Sequence, residues 1–107
     1  MKLQPAPFDL IKSGKKTIEI RLFDEKRKAV RTGDTIIFSK LPDLAQTVVV
    51  TVVNLAKFAT FQDLLAAYPA ERFGVSEKEG LLASLHTFYT PAEEVRFGVL
   101  AIEVQAS

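Results

Sequence analysis

The chain has no cysteine. That absence removes disulfides, thiolate nucleophiles and Cys-ligated zinc or iron–sulfur centres from its chemistry. It holds one histidine, His86, so a histidine-rich metal site is missing too. No apolar run approaches the ~20 residues that span a bilayer. The opening Met1-Lys2-Leu3-Gln4-Pro5 lacks the apolar stretch of a signal peptide. A Walker loop, an RRM-type aromatic platform, a helix-turn-helix signature and a cluster of metal ligands are likewise missing. No cofactor, no metal and no membrane contact is expected, and a cytoplasmic location is. Without a repeat, linker or low-complexity segment, residues 1–107 read as one domain with one modest core.

What is present is the balance of an ordinary globular protein, 48% hydrophobic and 25% charged. The net charge of +1 hides an asymmetry. Residues 9–31 carry Lys12, Lys15, Lys16, Arg21, Lys26, Arg27, Lys28 and Arg31 against Asp9, Glu19, Asp24 and Glu25. The remainder from residue 32 onwards is net acidic. A basic first third suits an anionic partner, or else is a solvated surface. It is too weak for sequence-blind binding to duplex, which needs many phosphate contacts.

Punctuation and periodicity divide the chain. Residues 5–13 predict a short helix with an early proline, closed by Ser13-Gly14. Residues 17–23 predict a strand, and 24–31 a charged connection with room for a helical turn. The Gly33-Asp34 turn precedes an apolar run at 35–39. Residues 47–55 form a β-branched run expected to be buried on both faces. Thr60 is placed to cap a helix bearing Phe61, Leu64 and Leu65. A second helix is predicted over 76–89, with Ser76 and Glu79 at capping-box spacing and a stripe of Leu81, Leu82, Leu85 and Phe88. A helical turn from Thr90 ends near Gly98, and a strand at 99–104 closes the chain. The eight phenylalanines read mostly as core. Tyr68 and Tyr89 adjoin polar segments and can line a cleft and stack on a base. His86 reads as a helix-surface or hydrogen-bonded core residue. Several strands with two or three helices fit a small α+β barrel.

The most informative stretch is residues 14–21, Gly-Lys-Lys-Thr-Ile-Glu-Ile-Arg. As a strand it alternates, turning Ile18, Ile20 and Leu22 to one side and Thr17, Glu19 and Arg21 to the other. The second side pairs a carboxylate with a guanidinium, with the Lys16 ammonium at the entry. Such constellations on rigid elements build binding and acid/base sites. Arg21 presents a planar fork for a phosphate or a base edge. Lys16 is a compact cation for phosphate, or a base if desolvated. Glu19 can accept from an exocyclic amine. A structural Glu19–Arg21 ion pair is the alternative reading.

Gly14, Lys16, Glu19 and Arg21 match the G-x-K-x-x-E-x-R signature of the ASCH (activating signal cointegrator homology) domain. The flanks agree: residues 7–14 resemble its leading helix, and 33–38 its next strand. The likeness continues through Phe61-Gln62-Asp63-Leu64-Leu65, then residues 89–94 and 98–103. The resemblance implies an α+β fold, a small PUA-like β-barrel with two or three flanking helices, with the motif lining a cleft beside it. It implies an RNA, nucleoside or nucleotide partner held by Gly14, Lys16, Glu19 and Arg21, and leaves the oligomeric state open.

The same region resembles a small amidohydrolase of this family that deacetylates acetylated cytidine. Lys16 falls on that enzyme's catalytic lysine, whereas Glu19 stands where it has a threonine nucleophile, with Thr17 two residues away. Its carboxylate belongs to the stretch holding Glu71, Glu77 and Glu79, among which the sequence does not choose. A carboxylate is a poor replacement for a hydroxyl in acyl transfer, because the anhydride it would form is labile. Some ASCH proteins are also regarded as RNA-binding or ribonucleolytic. The enzymatic alternative is therefore an amidohydrolase on acylated pyrimidine nucleosides, or a weak ribonuclease, with Lys16 and Glu19 catalytic. A module that binds another protein is a third class.

Overall fold

Residues 1–106 are described here from a computed structural model. The leading helix, α1 (Pro5–Lys12), follows a two-residue strand β1 (Lys2–Leu3). Pro5 occupies its first position, where the fixed φ suits a helix and no amide bond is lost. Gly14 ends it at φ +80°, a left-handed conformation that a Cβ disfavours. The motif strand β2 is Ile18–Leu22, one residue shorter at each end than expected. The charged connection folds into one turn, α2 (Glu25–Lys28), capped by the Asp24 carboxylate. Strands β3 (Thr35–Lys40) and β4 (Thr47–Phe58) follow as an antiparallel pair. Helix α3 (Phe61–Ala66) is capped by Thr60 as predicted. A 3₁₀ turn (Ala70–Phe73), α4 (Glu79–Phe88), α5 (Pro91–Phe97) and β5 (Val99–Ala106) complete the order.

The strands form one curled, half-barrel sheet in the order β1-β3-β4-β5-β2. With helices on its flanks this is the expected α+β, PUA-like architecture. Among the described residues there are five α-helices, two of them no longer than six residues. Two apolar clusters hold the sheet. Phe8 and Ile11 of α1 pack with Phe38, Val50, Val52, Leu100, Ile102 and Val104. Ile18, Ile20, Leu22, Val99 and Ala101 pack against Phe61, Leu64 and Leu65 of α3, with Phe73 and Leu85.

Three local expectations are corrected. β4 is not buried on both faces: Val50 and Val52 are buried, but Val49 and Val53 are 41% and 45% exposed. The strand buried on both sides is β5, whose successive residues Val99 to Ile102 feed the two clusters alternately. β5 lies between β4 and β2, where helices cover the second face, while the first half of β4 runs beyond them. The second helix starts at Glu79 rather than Ser76, and its first-turn amide at Gly80 is capped by Glu77 (3.1 Å). Finally, Phe88 is 65% exposed instead of core. Four phenylalanines, Phe8, Phe38, Phe61 and Phe73, are the fully enclosed ones.

Candidate functional site

Lys16, Glu19 and Arg21 converge. Glu19 projects from the edge strand β2, opposite Ile102 of β5, and only 6% of its side chain is exposed. A carboxylate so enclosed persists only when paired and hydrogen-bonded. Glu19 meets both conditions. Its Oε1 accepts from Lys16 Nζ (3.0 Å) and from the Ile20 amide (3.1 Å). Its Oε2 accepts from Arg21 Nε (3.1 Å) and lies 3.0 Å from Arg21 Nη2. Burial pushes the Glu19 carboxyl upwards, but the charges of Lys16 and Arg21, with the Lys16 and Ile20 hydrogen bonds, outweigh it. The net effect holds the pKa below its ordinary 4.5, so the group is a carboxylate at neutral pH.

The two cations are themselves positioned from outside β2. Arg21 Nη2 also donates to the Lys2 carbonyl of β1 (3.0 Å). The Lys16 amide donates to the Leu10 carbonyl of α1 (3.0 Å). Gly74, at φ +76°, comes so close that a Cβ there would lie 3.1 Å from Lys16 Cβ and from Leu10 Cδ1. The left-handed glycine after the 3₁₀ turn is therefore what lets the chain pass the base of Lys16. Lys16 and Arg21 keep 11% and 16% of their side chains exposed.

The trio forms one wall of a cleft of about 250 Å³. The facing wall is α4 and its end: Leu81, Leu85, Phe88 and Tyr89. Tyr89 also packs on the ring of Phe61, with centroids 5.4 Å apart. A charged, hydrogen-bonding wall thus faces an apolar and aromatic one, the layout of a site for a flat, polar-edged ring.

Several predicted residues lie elsewhere. Gly14 is exposed and does not line this cleft; its conformation ends α1. Thr17 precedes β2 and does not join the charged trio. Its hydroxyl accepts from Arg72 Nε (2.9 Å), and Arg72 Nη2 pairs with Glu103 at 2.6 Å. The Arg72 hydrogen bond holds the Glu103 carboxyl below its ordinary value, against partial burial and with help from Asn54. Tyr68 belongs to this second cluster, 5.8 Å from the Arg72 guanidinium, and not to the cleft. Glu71, Glu77 and Glu79 are all exposed, and none lines the cleft. His86 does not line the cleft; its Nε2 lies 3.2 Å from Oε2 of the buried Glu94, and its ring meets Phe61 with centroids 6.3 Å apart. Among the described residues, no group of His, Asp and Glu is arranged to hold a metal ion.

Sequence reasoning named Tyr89, which does line the cleft, but missed Phe88 and the rest of the α4 wall, and it missed Glu94. The buried Glu94 carboxylate accepts from the Phe61 amide (2.9 Å) and so caps α3 from another helix. A signal for Phe88 was available: the adjacent Phe88-Tyr89 pair at a helix end does not let both rings face one core.

Comparison with known proteins bears on the family and the fold. The ASCH domain model matches residues 1–106. The crystal structure of hypothetical protein PH0355 is 35% identical, with a TM-score of 0.87, over 100% of this chain and 96% of that one. The solution structure of protein PF0455 from Pyrococcus furiosus is 32% identical, with a TM-score of 0.75, over 99% and 94% of the two chains. The crystal structure of a ZmASCH mutant protein from Zymomonas mobilis is 15% identical, with a TM-score of 0.71, over 98% of this chain and 65% of that one, a likeness of fold alone. Among curated proteins none matches. The motif, the curled sheet that carries it and a family match spanning residues 1–106 lead to one conclusion: this chain belongs to the ASCH domain family.

Proposed function

We propose that the protein binds a component of RNA, a nucleoside or nucleotide, in the cleft between β2 and α4, in the cytoplasm. The observation that carries this reading is the pairing of a preorganised Lys16–Glu19–Arg21 wall with the apolar wall of Leu81, Leu85, Phe88 and Tyr89. The ASCH domain has a PUA-like fold linked to RNA binding, which supports the same class of ligand. Size supports it as well. A cleft of about 250 Å³ falls just below the ~300–1,000 Å³ typical of drug-sized ligands, and so suits one base with its sugar. In this reading the exposed ring of Phe88 stacks on the base, and Arg21 and Lys16 meet acceptor or anionic groups. Glu19 acts on the ligand by holding both cations in place, while Gly14 acts on it only through the turn it allows.

Catalysis has less support. An amidohydrolase or ribonuclease built on Lys16 and Glu19 needs a proton acceptor tuned near the working pH. Glu19 is instead held as a weak base, with its oxygens occupied by Lys16, Arg21 and the Ile20 amide. None of Glu71, Glu77 and Glu79 lines the cleft to replace it.

The test is an amide-resolved NMR titration with short mixed-sequence RNA at moderate salt, on the wild type and Phe88→Ala. Saturable shifts at Lys16, Glu19, Arg21 and Leu85 are expected. An exposed ring contributes little to folding, so the variant should keep its stability within about 0.5 kcal/mol. It should lose about 1–3 kcal/mol of binding, the worth of one base–aromatic stack, or roughly 5- to 150-fold in Kd. Diffuse shifts that vanish with salt, or an unchanged Kd for the variant, would overturn the proposal.

A further inference from the structure

Arg21 does not end the cleft; it stands between two concavities. On its other side lies a larger hollow of about 520 Å³, lined by Met1, Lys2, Arg21, Lys26 and Arg27. Lys2 and Arg21 line both. Every charged side chain lining the second hollow is a cation.

The two arginines there are anchored before any ligand arrives. Arg21 is clamped by Glu19 and the Lys2 carbonyl. Arg27 Nη1 pairs with Asp24 (3.2 Å), the same carboxylate that caps α2. Arg27 Nε is buried with no acceptor among the described residues, and a buried donor without an acceptor is costly. Charge accounting singles out the rest. Glu19 offsets part of the Lys16–Arg21 charge and Asp24 offsets Arg27, whereas Lys2 and Lys26 form no ion pair among the described residues. The nearby Glu25 is taken by Lys28 (3.0 Å). Two unpaired ammonium groups and two fixed guanidiniums thus surround one hollow. A phosphodiester carries about one negative charge, but a phosphomonoester carries about −1.5 to −2 at neutral pH. The second comes nearer to the surplus.

We infer that this hollow is a phosphate subsite: the ligand of the cleft carries a phosphomonoester, which Lys2, Lys26, Arg21 and Arg27 hold while its base lies against α4. The inference rests on the cleft reading above and narrows it from nucleosides in general to monophosphorylated nucleotides, whether free or at the end of an RNA chain. Arg21 belongs to both halves, so base and phosphate are read together, and the anchored guanidiniums reach acceptors without first paying side-chain entropy.

The test compares Kd values for the four ribonucleosides, their 5′- and 3′-monophosphates, and inorganic phosphate. The proteins are the wild type, Lys26→Gln, whose side chain lines the hollow and not the cleft, and a charge-matched control, Lys12→Gln. At least one monophosphate should bind the wild type ten times more tightly than its nucleoside. Both sets of amides, Lys16–Arg21 and Lys26–Arg27, should shift together. The site variant should reduce that preference to below about threefold with nucleoside affinity unchanged, and the control should keep it. Equal binding of nucleoside and monophosphate, with shifts confined to the cleft, would refute the phosphate subsite and leave the cleft reading intact. Equal losses in the site and control variants would reduce the effect to general charge and refute it too. Phosphate binding at Lys26 and Arg27 without any cleft shift by nucleotides would refute the link between the two. No cleft shift by any nucleoside or nucleotide would sink the cleft reading itself and the inference with it. Short RNA with and without a terminal phosphate distinguishes the sources. A gain in affinity on phosphorylation assigns the site to RNA ends, and a gain seen only with mononucleotides assigns it to free nucleotides.

Discussion

Replacing Glu19 with glutamine is the most searching perturbation of this structure. The substitution preserves shape and one acceptor oxygen, and it removes the only negative charge among the described residues that faces Lys16 and Arg21 within 3.1 Å. Breaking a buried ion pair by removing one partner typically costs about 3–5 kcal/mol, because the remaining charge is left uncompensated. Lys16 and Arg21 keep 11% and 16% side-chain exposure and can partly rehydrate, which points to the lower end. At about 4 °C per kcal/mol for a domain near 100 residues, a loss of about 3 kcal/mol lowers Tm by roughly 12 °C at pH 7. The pH dependence makes the test specific. The folded pKa of Glu19 lies below its ordinary 4.5, so the stability contributed by its ionised form is fully present above that value. It is lost as pH falls through the lowered folded pKa. Glutamine does not titrate. The stability gap between wild type and Glu19→Gln should therefore be widest above pH 4.5 and shrink at lower pH. The Arg72–Glu103 pair is common to both proteins and cancels in the difference. Urea unfolding of both proteins at a series of pH values from 7 to 2.5 measures it. A thermal-unfolding Tm at pH 7 within about 2 °C of wild type, or a urea-derived gap that stays constant with pH, would refute the claim that Glu19 is the charge that organises the site.

Two further predictions concern the supports of the cleft. Gly74→Ala should cost roughly 1–3 kcal/mol, from a left-handed φ and from contacts at 3.1 Å with Leu10 and Lys16. It should also move the Lys16 and Glu19 amide resonances, and a variant as stable as wild type with an unmoved Lys16 would contradict the packing argument. Glu94→Ala should cost about 1–3 kcal/mol by leaving the buried Phe61 amide without an acceptor. Native-state hydrogen exchange reads this directly: the Phe61 amide should lose protection first, and unchanged protection would show that Glu94 does not cap α3.

Much of the site was readable before folding because its determinants are local. Gly14, Lys16, Glu19 and Arg21 lie within eight residues, and strand alternation is enough to set Glu19 and Arg21 on one side. Helix punctuation was local too: Pro5, Thr60 and the helical turn opening at Thr90 are all set within a turn, although the capping box expected at Ser76 and Glu79 did not form. Where alternation was extended one residue too far it failed. Thr17 precedes the ladder, and Arg72, distant in sequence, claims its hydroxyl. The burial of β4 failed for a related reason. A run of valines reports that a strand is apolar, but whether a helix covers its second face depends on where distant helices land.

The sequence by itself determined the family, the α+β class and the charged motif, since these rest on short-range pattern and composition. Only the tertiary structure decided what the motif faces. It brought α4 across from β2 so that Phe88 and Tyr89 oppose the trio, seated Gly74 against Lys16, and set Lys2 and Arg27 beside Arg21. A ligand is recognised by surfaces from several elements at once. Their juxtaposition is a long-range packing outcome that no local period encodes.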